Sequence, residues 1–202
     1  VNLVVEKRKI NLLYNCFPVK SFWSINRALG LNSKEIDEFE IDMQKYSYVD
    51  VPMKYKISTN FRKISTHKSF KKKFKTFDYN FNYRKWRYVE NPIYKYSIFY
   101  ISNDEFIIFK NFKQKKNYID ILEISVNLSN PKRFKKIFIS FLNYIKKNFD
   151  KSIINLWSIE DKNFNKMLLS YGFKKIKAQH IFGYKFYNNT SINKKWMIQK
   201  ND

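Results

Sequence analysis

The chain has 202 residues, enough for one full domain or for one domain with part of a neighbour. At 44% hydrophobic, with 20 Phe and 15 Tyr, it can bury an aromatic core, and 3 Gly and 4 Pro exclude long flexible linkers and low-complexity tails. The net charge of +23 comes with abundant Lys, Asn, Ile, Phe and Tyr and scarce Ala and Gly; AT-rich codon usage produces that joint skew, so the charge reads as compositional and no specific nucleic-acid partner is expected.

Asn2 to Val5 and Ile10 to Tyr14 read as short strands. Leu31 to Tyr46 reads as a helix: Asn32 stands at the cap, Glu35 three residues on, and Ile36, Phe39 and Met43 share one face. Lys54 to Lys75 is basic, weakly periodic and loop-rich. A boundary is therefore expected near residue 77, with residues 1–77 as a partial domain or linker region and 78–202 as a domain.

From Asp78 the pattern sharpens. A helix is predicted over about Asn80 to Glu90, with Trp86 buried against a sheet and Arg84 and Arg87 snorkelling or paired. It ends at Asn91-Pro92, because the residue before proline is pushed out of the helical region. A hairpin follows, Tyr94 to Ser102 and Glu105 to Phe112, turning at Asn103-Asp104. Tyr118 to Val126 is a nearly continuous apolar strand, as expected at the centre of a sheet. Asn130 caps the next helix, and Pro131 sits in its first turn, where a missing N–H costs little. Phe134, Ile137, Phe138, Phe141, Leu142 and Ile145 recur at three and four residues along it. Ile153 to Ile159 is a strand. Asp161 to Tyr171 is a helix closed by Gly172 in a left-handed cap position. Ile176 to Tyr187 and Lys195 to Gln199 supply the last strands. Strand-helix-strand connections at the centre imply a parallel pair, with an antiparallel meander before it.

Few motifs carry chemistry. The single Cys16 excludes an internal disulfide and a Cys-based zinc site, and His67 and His180 have no metal-ligand spacing, so no metal is expected. No Ser/His/Asp arrangement and no phosphate-binding Walker loop is visible. Asp120 and Glu123 are read as lying one on each face of the central strand. Each is either a candidate base beside a cleft or a satisfied polar residue. No apolar run approaches the ~20 residues of a membrane span. Val1 to Lys20 carries charges at Glu6, Lys7, Arg8 and Lys9 and lacks the apolar stretch of a signal peptide, so a cytoplasmic protein is expected.

The stretch Tyr83-Arg84-Lys85-Trp86-Arg87-Tyr88-Val89-Glu90-Asn91-Pro92-Ile93-Tyr94-Lys95-Tyr96 resembles the lead-in to the second half of GNAT-like (GCN5-related N-acetyltransferase) acyltransferases. The relatives in question are associated with bacterial surface-polysaccharide and amino-sugar pathways. The strand-helix-strand centre, Tyr171-Gly172-Phe173 after the last helix, and Trp196 before a polar Asn201-Asp202 end extend the likeness over Asp78 to Asp202. The resemblance implies an α/β fold: a mixed, mostly antiparallel sheet with a central parallel strand pair and flanking helices. It implies acyl transfer from acetyl-CoA or another acyl-CoA to a small-molecule amine, with an amino-sugar nucleotide as acceptor and a companion acyltransferase domain as a partner. A catalytically inert GNAT-like binding or scaffold module is the alternative, and a basic nucleic-acid-binding domain the distant one.

The family cradles the cofactor pyrophosphate on backbone N–H groups of a glycine-rich loop at a helix start. The matching stretch here implies a mouth lined by Val126, Asn127, Ser129, Asn130, Lys132 and Arg133. Both glycines are absent, and Pro131 removes one donor. Many relatives place a proton-donating tyrosine where this chain has Leu168, which cannot donate.

Overall fold

The computed structural model describes residues 12–17, 23–28, 30, 32–69, 74–75, 80–113, 117–157, 162–177, 181–186 and 195–196. The elements, in order, are β1 (Leu12–Phe17), α1 (Trp23–Ala28), β2 (Asn32–Glu35), β3 (Glu38–Asp42), β4 (Lys56–Ser58), β5 (Phe74–Lys75) and α2 (Phe81–Arg84), which continues into a π-helical turn, Lys85–Val89. Then come β6 (Tyr96–Tyr100), β7 (Phe106–Lys113), β8 (Asn117–Ser125), α3 (Pro131–Asn148), β9 (Ser152–Trp157), α4 (Lys162–Ser170), β10 (Lys174–Ile176), β11 (Ile181–Phe186) and β12 (Lys195–Trp196).

The chain divides into two compact units, Val1–Glu38 with Ile176–Asn193, and Phe39–Lys175 with Lys194–Asp202. The division does not fall at residue 77. In the first unit β11 is the middle strand of a three-stranded sheet, antiparallel to β1 (Leu12↔Phe186 to Phe17↔Ile181) and to β2 (Ile181↔Glu35 to Tyr184↔Asn32).

The second unit is built on a mixed, mostly antiparallel seven-stranded sheet in the order β10-β3-β9-β8-β7-β6-β4. β4, β6, β7 and β8 form an antiparallel meander, and β8 pairs β9 in parallel, Asn117↔Ser152 to Ile121↔Leu156. β5 and β12 make a separate two-residue parallel contact.

The parallel pair at the centre follows from α3. A parallel neighbour needs a crossover, and α3 supplies it. Asn130 accepts the Arg133 N–H at 3.0 Å and caps the helix, with Pro131 in the first turn. Its apolar residues Ile137, Phe138, Phe141, Leu142 and Ile145 are wholly buried against Phe99, Ile107, Phe109, Ile119, Ile121 and Ile154 of the sheet. Rings interlock there: Phe141 meets Phe99 and Phe109 edge-on, and Phe134 stacks on Phe164 of α4. Gly172, at φ +87°, ends α4 as expected, with Gly172 N–H donating to the Leu169 carbonyl and Phe173 N–H to that of Leu168.

Several expectations are corrected. Leu31 to Tyr46 is not a helix; β2 and β3 stand there. Phe39, Ile41 and Met43 are buried at every second residue, the strand period, and the slot in the sheet selects it over the helical spacing Ile36, Phe39, Met43. Ile176 to Tyr187 is not one strand but β10 and β11, which belong to different sheets. Trp86 is 66% exposed, not buried. The π turn that carries it spends one extra residue per turn, and the buried positions of this segment are Arg84, Arg87 and Tyr88 instead. The strand expected at Asn2 to Val5 and the residues after Trp157 in β9 and after Trp196 in β12 lie outside the described residues.

Candidate active site

The parallel ladder stops at Ile121↔Leu156, whereas β8 continues to Ser125. Just past the stop, β8 bulges. Ile107, Ile108 and Phe109 pair Ile124, Glu123 and Ile121, so Leu122 has no opposite residue on β7. Beyond the bulge, among the described residues, β8 is laddered to β7 alone. This end of the parallel pair carries the loop that leads into α3.

The bulge also moves the two candidate acids. Ile108 and Lys110 lie on one face of β7 and oppose Glu123 and Asp120, so both acids occupy the face away from α3, not one on each. Both are buried. Glu123 receives the Arg84 guanidinium in a two-pronged ion pair, with Arg84 Nε at 3.3 Å from Oε2 and Nη2 against Oε1. Arg84 also donates to the Ile64 carbonyl (3.1 Å) and Thr66 Oγ1 (3.0 Å), and lies over the Phe106 ring. Asp120 lies 3.8 Å from Lys110 Nζ, which sits 3.9 Å above the Tyr94 ring centre. Each acid is thus held by a cation inside the protein, the arrangement that makes a buried carboxylate tolerable.

The mouth residues come together as the loop from β8 to α3. Val126 is fully buried in the apolar core. Asn127 Oδ1 accepts the Ser129 N–H at 3.0 Å, and its carbonyl accepts the Asn130 N–H at 3.1 Å, which closes a tight turn. Ser129, Asn130 and Lys132 are exposed. Arg133 is already engaged: its Nε donates to both Glu105 carboxylate oxygens, at 2.9 and 2.7 Å. That hydrogen bonding pushes its pKa above the ordinary arginine value, against the opposing effect of burial. Ser129, the Lys132 side chain and the Lys132 N–H remain as a donor set for a diphosphate. It is smaller than a glycine loop would provide but of the right chemistry.

Leu168 is fully buried core. Among the described residues the Tyr171 hydroxyl, also buried, has no hydrogen-bond partner, and burial raises its pKa.

A further group of side chains, invisible in the sequence, meets at the end of β8. Ser69 Oγ lies 2.8 Å from His67 Nδ1, accepts the Leu128 N–H at 3.0 Å and reaches the Val126 carbonyl at 3.2 Å. His67 Nε2 lies 3.5 Å from Asp104 Oδ2. The His67 N–H donates to Ser125 Oγ, and Ser125 Oγ–H donates to the Asp104 carbonyl. Linear spacing could not have found it, because Asp104 comes from the β6–β7 turn and only the hairpin brings it back. Among the described residues no group of three or more His, Cys, Asp or Glu could hold a metal ion, and no helix is long and apolar enough to cross a membrane.

No protein-family model and no curated protein matches the chain. Solved structures do. A probable N-acyltransferase from Enterococcus faecalis V583 superposes with a TM-score of 0.58 at 12% identity, over 90% of this chain and 46% of that one. A GCN5-related N-acetyltransferase from Anabaena variabilis ATCC 29413 gives 0.55 at 10% identity, over 92% and 48%. A conserved protein of unknown function from Staphylococcus epidermidis ATCC 12228 gives 0.52 at 13% identity, over 92% and 76%. The chain thus spans less than half of the first two proteins. At these identities the likeness is one of fold, and it agrees with the meander, the central parallel pair and the crossover helix: the chain has the fold of the GCN5-related N-acetyltransferases.

Proposed function

We propose that the protein is an acyl-CoA-dependent N-acyltransferase that acts on a small-molecule amine, with an amino-sugar nucleotide of surface-polysaccharide synthesis as the acceptor, and that it works in the cytoplasm alongside a companion acyltransferase domain. The observation that supports this reading is the central parallel pair, its ladder running to Ile121↔Leu156, beside a bulged β8 and the N-terminus of the crossover helix. Acyl-CoA would supply the activated acyl group. Ser129 and Lys132 would hold its diphosphate at the start of α3, where each helix-terminus charge interaction contributes about 0.3–1 kcal/mol. Arg133 joins them only by leaving Glu105. With both acids tied to buried cations, neither Asp120 nor Glu123 is positioned to remove a proton from an amine, so the base of this reaction lies elsewhere.

A second reading, a catalytically inert module of the same fold, is favoured by the engaged Arg133 and by Leu168 in the proton donor's place. Titration calorimetry with acetyl-CoA separates the two. The acyltransferase binds weakly, and Lys132→Ala with Arg133→Ala abolishes the heat while the far-UV circular dichroism is unchanged. Absence of heat with wild-type protein at millimolar acetyl-CoA leaves the inert module standing.

A further inference from the structure

We propose that Ser69 is a nucleophile, with His67 as its base and Asp104 as the residue that positions the base, and that the end of β8 carries an acyl-ester-forming site for activated carboxylic esters or thioesters. The signature of such a site is a hydroxyl within hydrogen-bond reach of a base, the base being held in turn by a third group. The hydroxyl and the base are within hydrogen-bond distance, and the third group stands at ion-pair distance from the base. Ser69 Oγ is 2.8 Å from His67 Nδ1, and Asp104 Oδ2 is 3.5 Å from Nε2.

The tautomer follows from the hydrogen bonds. The Ser69 backbone N–H donates to Nδ1 at 3.1 Å, so Nδ1 carries a lone pair and the imidazole proton sits on Nε2, facing Asp104. The Ser69 hydroxyl donates to the Val126 carbonyl at 3.2 Å and lies 2.8 Å from Nδ1, so rotation about the Cβ–Oγ bond turns its proton from that carbonyl to the base. The Leu128 N–H occupies one lone pair of Oγ, and one remains for attack. His67 and Ser69 are each 8% exposed, so the pair is sheltered but not sealed.

In the step itself Ser69 Oγ bonds to the acyl carbon as the carbon–sulfur or carbon–oxygen bond of the donor breaks. The hydroxyl proton passes to His67 Nδ1 and then to the departing thiolate or alkoxide. Asp104 stabilises the imidazolium between these transfers. Water, deprotonated by the same His67, then cleaves the serine ester and restores the hydroxyl.

The same contacts also fasten residues 67–69 onto β8, and a purely structural clamp would look alike. A fluorophosphonate probe tells them apart, because it labels only an activated serine, and it needs no CoA, so this test can fail or succeed independently of the acyl-CoA reading. The full chain should take one phosphonyl group, mapped to Ser69 by peptide mass, and Ser69→Ala should take none. His67→Gln should slow labelling by about 10²–10⁴-fold, the usual contribution of a positioned base. Asp104, which is 47% exposed, offers a variant that keeps the fold: Asp104→Asn should slow labelling and Asp104→Glu restore part of the rate. A folded wild-type chain left unlabelled at Ser69 overturns the proposal. So does a labelling rate untouched by both His67→Gln and Asp104→Asn.

Discussion

The two faces of the seven-stranded sheet are packed by different rules. Toward α3 the layer is apolar: Phe99, Phe109, Ile119, Ile121 and Ile124 meet Ile137, Phe138, Phe141 and Leu142 with no ion pair among them. Toward α2 a smaller apolar group, Phe61, Ile64, Tyr88, Tyr96, Ile98, Phe106, Ile108 and Leu122, is threaded by Arg84–Glu123 and Lys110–Asp120. Dispersion and burial act on any side chain of the right volume, so the first layer depends on shape and tolerates chemical near-equivalents. A buried charge is tolerated only beside its partner, so the second layer depends on identity.

Paired substitutions test that contrast most strongly. Arg84→Met leaves the Glu123 carboxylate buried and uncompensated and should cost about 3–5 kcal/mol in urea denaturation; adding Glu123→Leu should recover most of it. Phe141→Ala should cost a similar ~3–5 kcal/mol through the cavity it leaves. The contrast breaks if the double variant at 84 and 123 is no more stable than Arg84→Met alone.

A smaller effect probes the rim of the apolar layer. Tyr46 donates to Asn143 Oδ1 at 3.1 Å, and burial, with lesser contributions from Tyr171 and Tyr48, pushes its pKa to about 12. Between pH 10 and 12 the unfolded chain releases this proton and the folded chain keeps it. Stability should therefore be lost as pH rises through that window, by about 2–3 kcal/mol at most. Alkaline denaturation of Tyr46→Phe should show a flatter arm; an arm as steep as wild type would assign the loss to other phenols.

The smallest effect is expected at Trp86. With most of the side chain in solvent, Trp86→Ala should change stability by about 0.5 kcal/mol or less. A loss of several kcal/mol would mean that the polar layer extends over the π turn.

The apolar layer was largely legible in the sequence, and the polar layer was not. The three-and-four spacing of α3, the continuous run of β8 and the Gly172 cap are local signals, and they fixed the central crossover. β3 was misread because Ile36, Phe39, Ile41 and Met43 satisfy a helical and a strand period at once, and only the sheet decides. The turn from β8 into α3 at Asn127 to Arg133 could be read from the sequence, but not the engagement of Arg133 by Glu105, 28 residues away. The bulge at Leu122 has no sequence mark, yet it moves Glu123 to the face of Asp120. The Ser69, His67 and Asp104 contacts likewise depend on a hairpin closing.

The π turn at Lys85–Val89 makes this stretch sensitive to length rather than to composition. An α-helical residue advances about 100° around the axis, so a chain one residue shorter there would close an ordinary turn and rotate Arg84 by roughly that angle relative to Tyr88. Its guanidinium would leave Glu123, and the carboxylate would be stranded inside the protein. Related chains should therefore exchange the side chain at position 86 freely while keeping the number of residues between Arg84 and Tyr88 constant, and an insertion or deletion there should be accompanied by the loss of both members of the ion pair.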